Sequence, residues 1–131
     1  MARHHRIVAV AVWAALIFTV SSFPNPPGTS GGEWKSQLAH TTEYAILAFL
    51  VLRALRHYFP AQPWPMVALA TWVLCVCYGM SDEFHQSFVP NRDANWLDVG
   101  FDSLGSAIGV TIGVTIGVAL ACTRRRLKTW D

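Results

Sequence analysis

Residues 64–86 read WPMVALATWVLCVCYGMSDEFHQ, a run free of charge through position 81 that ends in two acids, a histidine and a glutamine. A helix crossing a bilayer needs roughly 20 consecutive, mostly apolar residues. Counting about that many from Trp64 ends near Phe84. The segment therefore reads as a membrane span whose outer end carries Asp82, Glu83, His85 and Gln86. Three further stretches approach the same length, and the predicted spans are about 7–23, 37–55, 64–84 and 98–122. Over the whole 131-residue chain 53% of residues are apolar and 14% are charged, against roughly a quarter charged in soluble domains. The predicted fold is all-α: one polytopic membrane domain, residues 1–131, built as a bundle of four transmembrane helices.

The first span has a competing reading, because "MARHHR" before an apolar run resembles a secretory signal peptide. The run is longer than the usual apolar region of about 7–15 residues, and "VSSFPNPPG" offers a poor small-x-small cleavage site. An uncleaved first span is expected. Basic residues then set the orientation, since Lys and Arg near span ends mark cytoplasmic loops. Eight of the ten (Arg3, Arg6, Arg53, Arg56, Arg124, Arg125, Arg126 and Lys128) fall on one side, and only Lys35 and Arg92 on the other. Both termini are predicted to be cytoplasmic. Trp34 and Trp96 would lie near the outer boundary, and Trp64 and Trp130 near the inner one, as interfacial belts require. The acids show the opposite bias: seven of eight sit outside or in the outer parts of the spans, and Asp131 alone is inside.

The connection "SSFPNPPGTSGGEW", with three prolines and three glycines, reads as an extended external loop. "RHYFPAQPWP" is a short inner turn whose prolines stop one helix and start the next. Cys75, Cys77 and Cys122 lie within predicted spans. Cys75 and Cys77, two apart on a helix, share no face and make a poor metal or redox pair; all three read as small buried hydrophobes. Gly105, Gly109, Gly113 and Gly117 recur every fourth residue along one face of the last span. Such a face lets a neighbouring helix approach closely. Packing inside one bundle is the expected use, with a homo-oligomer seam as the alternative.

Depth brings the ionisable residues together. At a rise of about 1.5 Å per residue, Glu43 lies roughly 15 Å above Arg53, close to the midplane of a core about 30 Å thick, with His40 one turn higher. Asp82, Glu83 and His85 gather at the outer end of span three, and Asp102 and Asp98 at the outer end of span four. His40, Glu43 and Tyr44 share a helix face by their spacing of three and four; so would Asp82, His85 and Gln86, and so do Asp98 and Asp102. Taken alone, Asp82, Glu83, Asp93 and Asp98 each read as a solvated loop residue, and His40 as a histidine hydrogen-bonded across helices. Glu43 resists that reading, because a carboxylate near the midplane is costly and usually marks a functional path. Arg92 offers a counter-ion or a phosphate anchor.

Carboxylates and imidazoles can hold a divalent metal that activates water, yet no HExxH or comparable local motif is present, so the spacing alone assigns no metal. A Glu–His or Asp–His pair can equally serve as general base on a lipid headgroup. No nucleophile stands out beside Ser81 and Ser87, and nothing points to nucleotide or nucleic-acid binding. The basic "RRRLK" suits an inner anchor near anionic lipid.

"LAHTTEYAILAFL" followed by "YGMSDEFHQSFVPNRDANWLDVGFDSLGSAIG" resembles the VanZ-like family of small bacterial membrane proteins. The resemblance is carried by His40, Glu43 and Tyr44, by Asp82, Glu83 and Gln86, by Arg92 after a proline turn, by Asp98 and by the glycine-rich helix that follows; it runs from about 36 to 113. The family often carries Asn where this chain has Asp102, so the outer mouth gains a possible negative charge. The resemblance implies a place in the bacterial cytoplasmic membrane and a role in the cell envelope. Its founding member is associated with resistance to teicoplanin, a glycopeptide that binds peptidoglycan precursors at the outer membrane face.

Two functions are weighed. The first is an outward-facing polar cavity that binds a lipid-linked or headgroup ligand, with Tyr44, Gln86, Arg92, Asp98 and Asp102 as binding residues. The second is a membrane-embedded enzyme, acid–base or metal-assisted, acting on an envelope lipid headgroup through His40, Glu43, Asp82, Glu83 and His85.

Overall fold

The computed structural model describes residues 4–24, 33–92 and 94–128. Four helices follow one another: α1, His5–Ser21; α2, Glu33–Tyr58; α3, Trp64–Gln86; and α4, Trp96–Lys128. No strand occurs among the described residues. The external loop expected between the first two helices lies, over residues 25–32, outside the described residues. Trp130 and Asp131 lie outside them too.

Helix ends fall where backbone chemistry requires them. Pro60 follows the end of α2, and the residue before a proline is pushed out of the helical region. Pro63 is the extended N-cap of α3 and Pro65 stands in its first turn, where a missing N–H costs nothing. After α3 the chain reverses through Asn91, held at φ 60°, a conformation that Asn tolerates better than most residues. Asn95 then starts α4: its Oδ1 accepts the Leu97 N–H at 3.0 Å, a side-chain N-cap.

Three helices, α2, α3 and α4 through Thr123, are long and apolar enough to cross a membrane. With 17 residues, α1 is apolar but shorter. The surface supports the same class of protein. Val12, Leu16, Leu69, Leu74, Ile108, Ile112, Ile116 and Leu120 all face outward, whereas His40, Asp82, Glu83, Gln86, Asp102 and Ser106 are buried. An apolar exterior around a polar interior reverses the soluble pattern and suits lipid.

Helix α4 packs chiefly on α2 and next on α3, while α1 leans on α2 and touches α3 lightly. The glycine face of α4 forms the tightest seam. A Cβ at Gly105 would stand 2.9 Å from Thr41 C and Cα, and one at Gly109 would stand 2.9 Å from Ala45 C. Side chains replace the α2 backbone further along, with Leu52 against Gly113 and Trp64 against Gly117. The glycines thus serve packing within one chain. Ile17, Tyr44, Leu47, Ala48 and Cys75 form the core beneath the polar end. Indole and phenol groups pin neighbouring helices through carbonyl oxygens: Trp13 Nε1 donates to Glu43 O, Tyr78 to Ala14 O and Trp72 Nε1 to Ser103 O. Of the three cysteines only Cys75 is buried; Cys77 and Cys122 are exposed on the bundle surface, a correction to the expectation of three buried thiols. In lipid an apolar thiol needs no protein cover.

A buried polar centre at one end of the bundle

Three helices deliver the residues of the candidate site. His40 Nδ1 lies 2.9 Å from Asp102 Oδ1, both side chains being buried. An ionised carboxylate only accepts, so Nδ1 carries the hydrogen and Nε2 is left for another partner. The second oxygen, Asp102 Oδ2, points toward Gly79, where a Cβ would stand 2.7 Å away. A side chain at position 79 would force this carboxylate to move.

Asp82 and Glu83 are adjacent in sequence but turn to different neighbours. Asp82 Oδ2 accepts the Ser21 hydroxyl at 2.7 Å and the Gln86 amide at 2.8 Å, which ties α3 to the end of α1. Glu83 Oε2 accepts the Asn95 backbone N–H at 3.0 Å, which ties α3 to the start of α4. In each case one oxygen remains: Asp82 Oδ1, Glu83 Oε1 and Asp102 Oδ2 are buried without a donor among the described residues. The Tyr44 hydroxyl is buried below them in the same condition.

His40, Glu83 and half-buried Asp98 converge, each bringing a ligand atom to within 4.8 Å of the others. Two negative charges at that distance repel by about 3–4 kcal/mol at an effective dielectric of about 20. A cation between them, or a proton on one of them, removes that cost. Glu43 is half-buried, with His40, Asp82, Asp102 and Arg92 as its charged neighbours. The Arg92 guanidinium itself reaches toward Phe23 O. Beside the centre, a cavity of about 210 Å³ is lined by Glu83, Phe84, Ser87, Ala94, Asn95 and Trp96. It sets one carboxylate among largely apolar walls.

His85 departs from expectation. Its ring stacks on Phe18 at 4.3 Å between centroids, and its Nε2 lies 3.1 Å from the Ser22 hydroxyl. It faces α1, away from the His40, Glu83 and Asp98 group, because it lies two residues beyond Glu83 and therefore on the opposite side of the helix. Ser21, Gly79 and Asn95 belong to the centre and escaped the sequence reading. Only Asn95 carries a local signal, an N-cap residue just before a helical pattern.

Helices long and apolar enough for a bilayer, enclosing buried carboxylates at one end, define a small helical membrane protein with an internal polar centre. The VanZ/LLP1 family model matches residues 6–122, and the chain belongs to that family. No curated protein and no solved structure matches the chain.

Proposed function

We propose that this VanZ-family protein crosses the bacterial cytoplasmic membrane four times, with both termini inside, and uses its polar centre at the outer face to bind a lipid headgroup or lipid-linked envelope ligand. One observation carries the reading: Asp82, Glu83 and Asp102 are each buried with one oxygen lacking a donor among the described residues. Buried polar atoms are almost always satisfied, so these three oxygens call for a donor or a cation from outside the chain. Orientation rests on the opposite end of the bundle, where Arg6, Arg53 and Arg56 line a second cavity and match the cytoplasmic bias of basic residues. The α1 helix stands at the short end of the roughly 17–25 residues that span a bilayer. Phe84 and Trp96 beside Glu83 give the apolar portion of a lipid a wall next to the charged group, and Arg92 supplies a contact for its phosphate.

The bond from His40 to Asp102 favours a second reading, chemistry on the same headgroup. A carboxylate that holds one imidazole nitrogen orients the other as a general base.

The test is native mass spectrometry of lipids that stay bound through purification. The expected result is selective retention of one headgroup class by the wild type and its loss in Glu83→Gln. Retention of bulk membrane lipids in unchanged proportion by both proteins would remove the proposal. Turnover of the retained lipid that stops in His40→Ala would promote the second reading. If the ligand is a peptidoglycan precursor, expression in a sensitive host raises tolerance to teicoplanin in a Glu83-dependent way.

A further inference from the structure

We infer that His40, Glu83 and Asp98 form a binding site for one divalent first-row transition-metal ion, and that this ion is the cation which couples the acidic centre to a phosphate-bearing headgroup. The inference rests on the reading of the centre as a ligand site and names the group that makes it one.

The geometry supplies what a metal site requires. The three side chains come from three helices, and their ligand atoms already lie within 4.8 Å of one another. Atoms bound to one tetrahedral ion through bonds of about 2.1 Å stand roughly 3.4 Å apart, so the group has to close by about an ångström or so. Asp98, half-buried in the first turn of α4, has the freedom to make that movement. Each buried ligand is also supported from behind. Asp102 holds His40 Nδ1, which leaves Nε2 for the ion. A carboxylate behind a ligating histidine is the usual arrangement, because it fixes the ring and strengthens the donor. The Asn95 N–H holds Glu83 Oε2, while Oε1, in a side chain belonging to a residue only 3% exposed, has no donor among the described residues. That orphaned oxygen is the independent sign of a ligand.

The donor set indicates the metal class. One imidazole and two carboxylates suit zinc, manganese or ferrous iron, whereas calcium and magnesium favour all-oxygen shells. No cysteine takes part, since the three ligating groups are oxygen and nitrogen donors. Three protein ligands leave a coordination position open, the arrangement of metal sites that engage water or substrate rather than purely structural ones. The neighbouring cavity, with Glu83 in its wall, gives a phosphate oxygen access to that position. His85, stacked on Phe18, stays outside the set.

The experiment uses full-length protein purified in detergent through a histidine-free tag, stripped with chelator and titrated with Zn²⁺ and, for its visible spectrum, Co²⁺. One ion per chain is expected in the wild type and in a His4→Ala, His5→Ala double variant that removes the adjacent N-terminal histidines. Binding is expected to disappear in His40→Ala and Asp98→Asn, and to weaken about 10- to 100-fold in Asp102→Asn, where only the support behind His40 changes. Asp98→Asn is half-buried at a helix start and nearly isosteric, so unchanged helical circular dichroism in that variant separates a lost ligand from lost folding. No ion in the wild type, or stoichiometric binding that survives Asp98→Asn, overturns the inference. Wild type without metal that still retains its selected lipid would defeat the metal alone. Metal binding without selective lipid retention would defeat only the headgroup reading.

Discussion

Replacing Gly105 by Ala adds one methyl group where the structure leaves no room for it. The new Cβ would stand 2.9 Å from Thr41 C and Cα, whereas ordinary contact begins at 3.4 Å. The obstacle is helix backbone, which has no rotamer to change, so α4 has to retreat from α2 by about half an ångström or more. Gaps of roughly 0.5–1 Å forfeit a quarter to a half of the dispersion attraction at each contact, and overpacking of this kind costs about 1–3 kcal/mol. Gly100→Ala is the internal reference, because a Cβ there meets nothing within 4 Å and the change in an exposed helical turn gains about 0.5–1 kcal/mol. Both variants make the same gain in helix propensity, so they should differ by the overpacking cost alone, about 1–3 kcal/mol, or roughly five- to 150-fold in the folding equilibrium. Equilibrium unfolding in mixed micelles, followed by circular dichroism, measures the difference. A second consequence is local. Gly105 lies one turn from Asp102, and Thr41 adjoins His40, so the same retreat stretches their 2.9 Å hydrogen bond beyond the usual limit of about 3.2 Å. Equal stability of Gly105→Ala and Gly100→Ala would refute the intimate seam and the site geometry that depends on it.

Two further outcomes follow from single contacts. Asn95→Ala removes the Oδ1 that accepts the Leu97 N–H and should cost about 1 kcal/mol in thermal unfolding, while Asn95→Ser, another good N-cap, should stay near the wild type; equal losses in both would show that the cap contributes nothing. An apolar maleimide dissolved in the micelle should modify Cys77 and Cys122 in the folded protein and Cys75 only after unfolding. Mass spectrometry that finds three adducts before unfolding would place Cys75 on the bundle surface.

Much of the architecture was legible in the chain. The charge-free run of span three, the prolines flanking it and the four-residue glycine spacing each act through local physics: hydrophobic length, backbone sterics and helical repeat. The predicted span 37–55 sits within α2, Glu33–Tyr58, and 98–122 within α4, Trp96–Lys128; the ends differ because helices run past the apolar region that periodicity detects. The polar residues were also legible as a set, since acids and histidines at membrane depth stand out against their surroundings.

Their partners were not legible. Successive residues on a helix point about 100° apart, so Asp82 and Glu83, side by side in sequence, serve different helices, Asp82 meeting Ser21 and Glu83 meeting Asn95. Spacing states which residues of one helix share a face; it leaves open which neighbour that face meets, because the rotation of each helix about its axis is set by packing. The Gly105 and Gly109 contacts with Thr41 and Ala45 set that rotation for α4 against α2. They bring Asp102 to His40 and let Asp98 join His40 and Glu83, while His85, on the other side of α3, lies against α1. Hydrophobic length and helical repeat, read along the chain, determined a bundle of apolar helices with a polar end; the close approach of backbones across the glycine seam decided which of the polar residues form a centre.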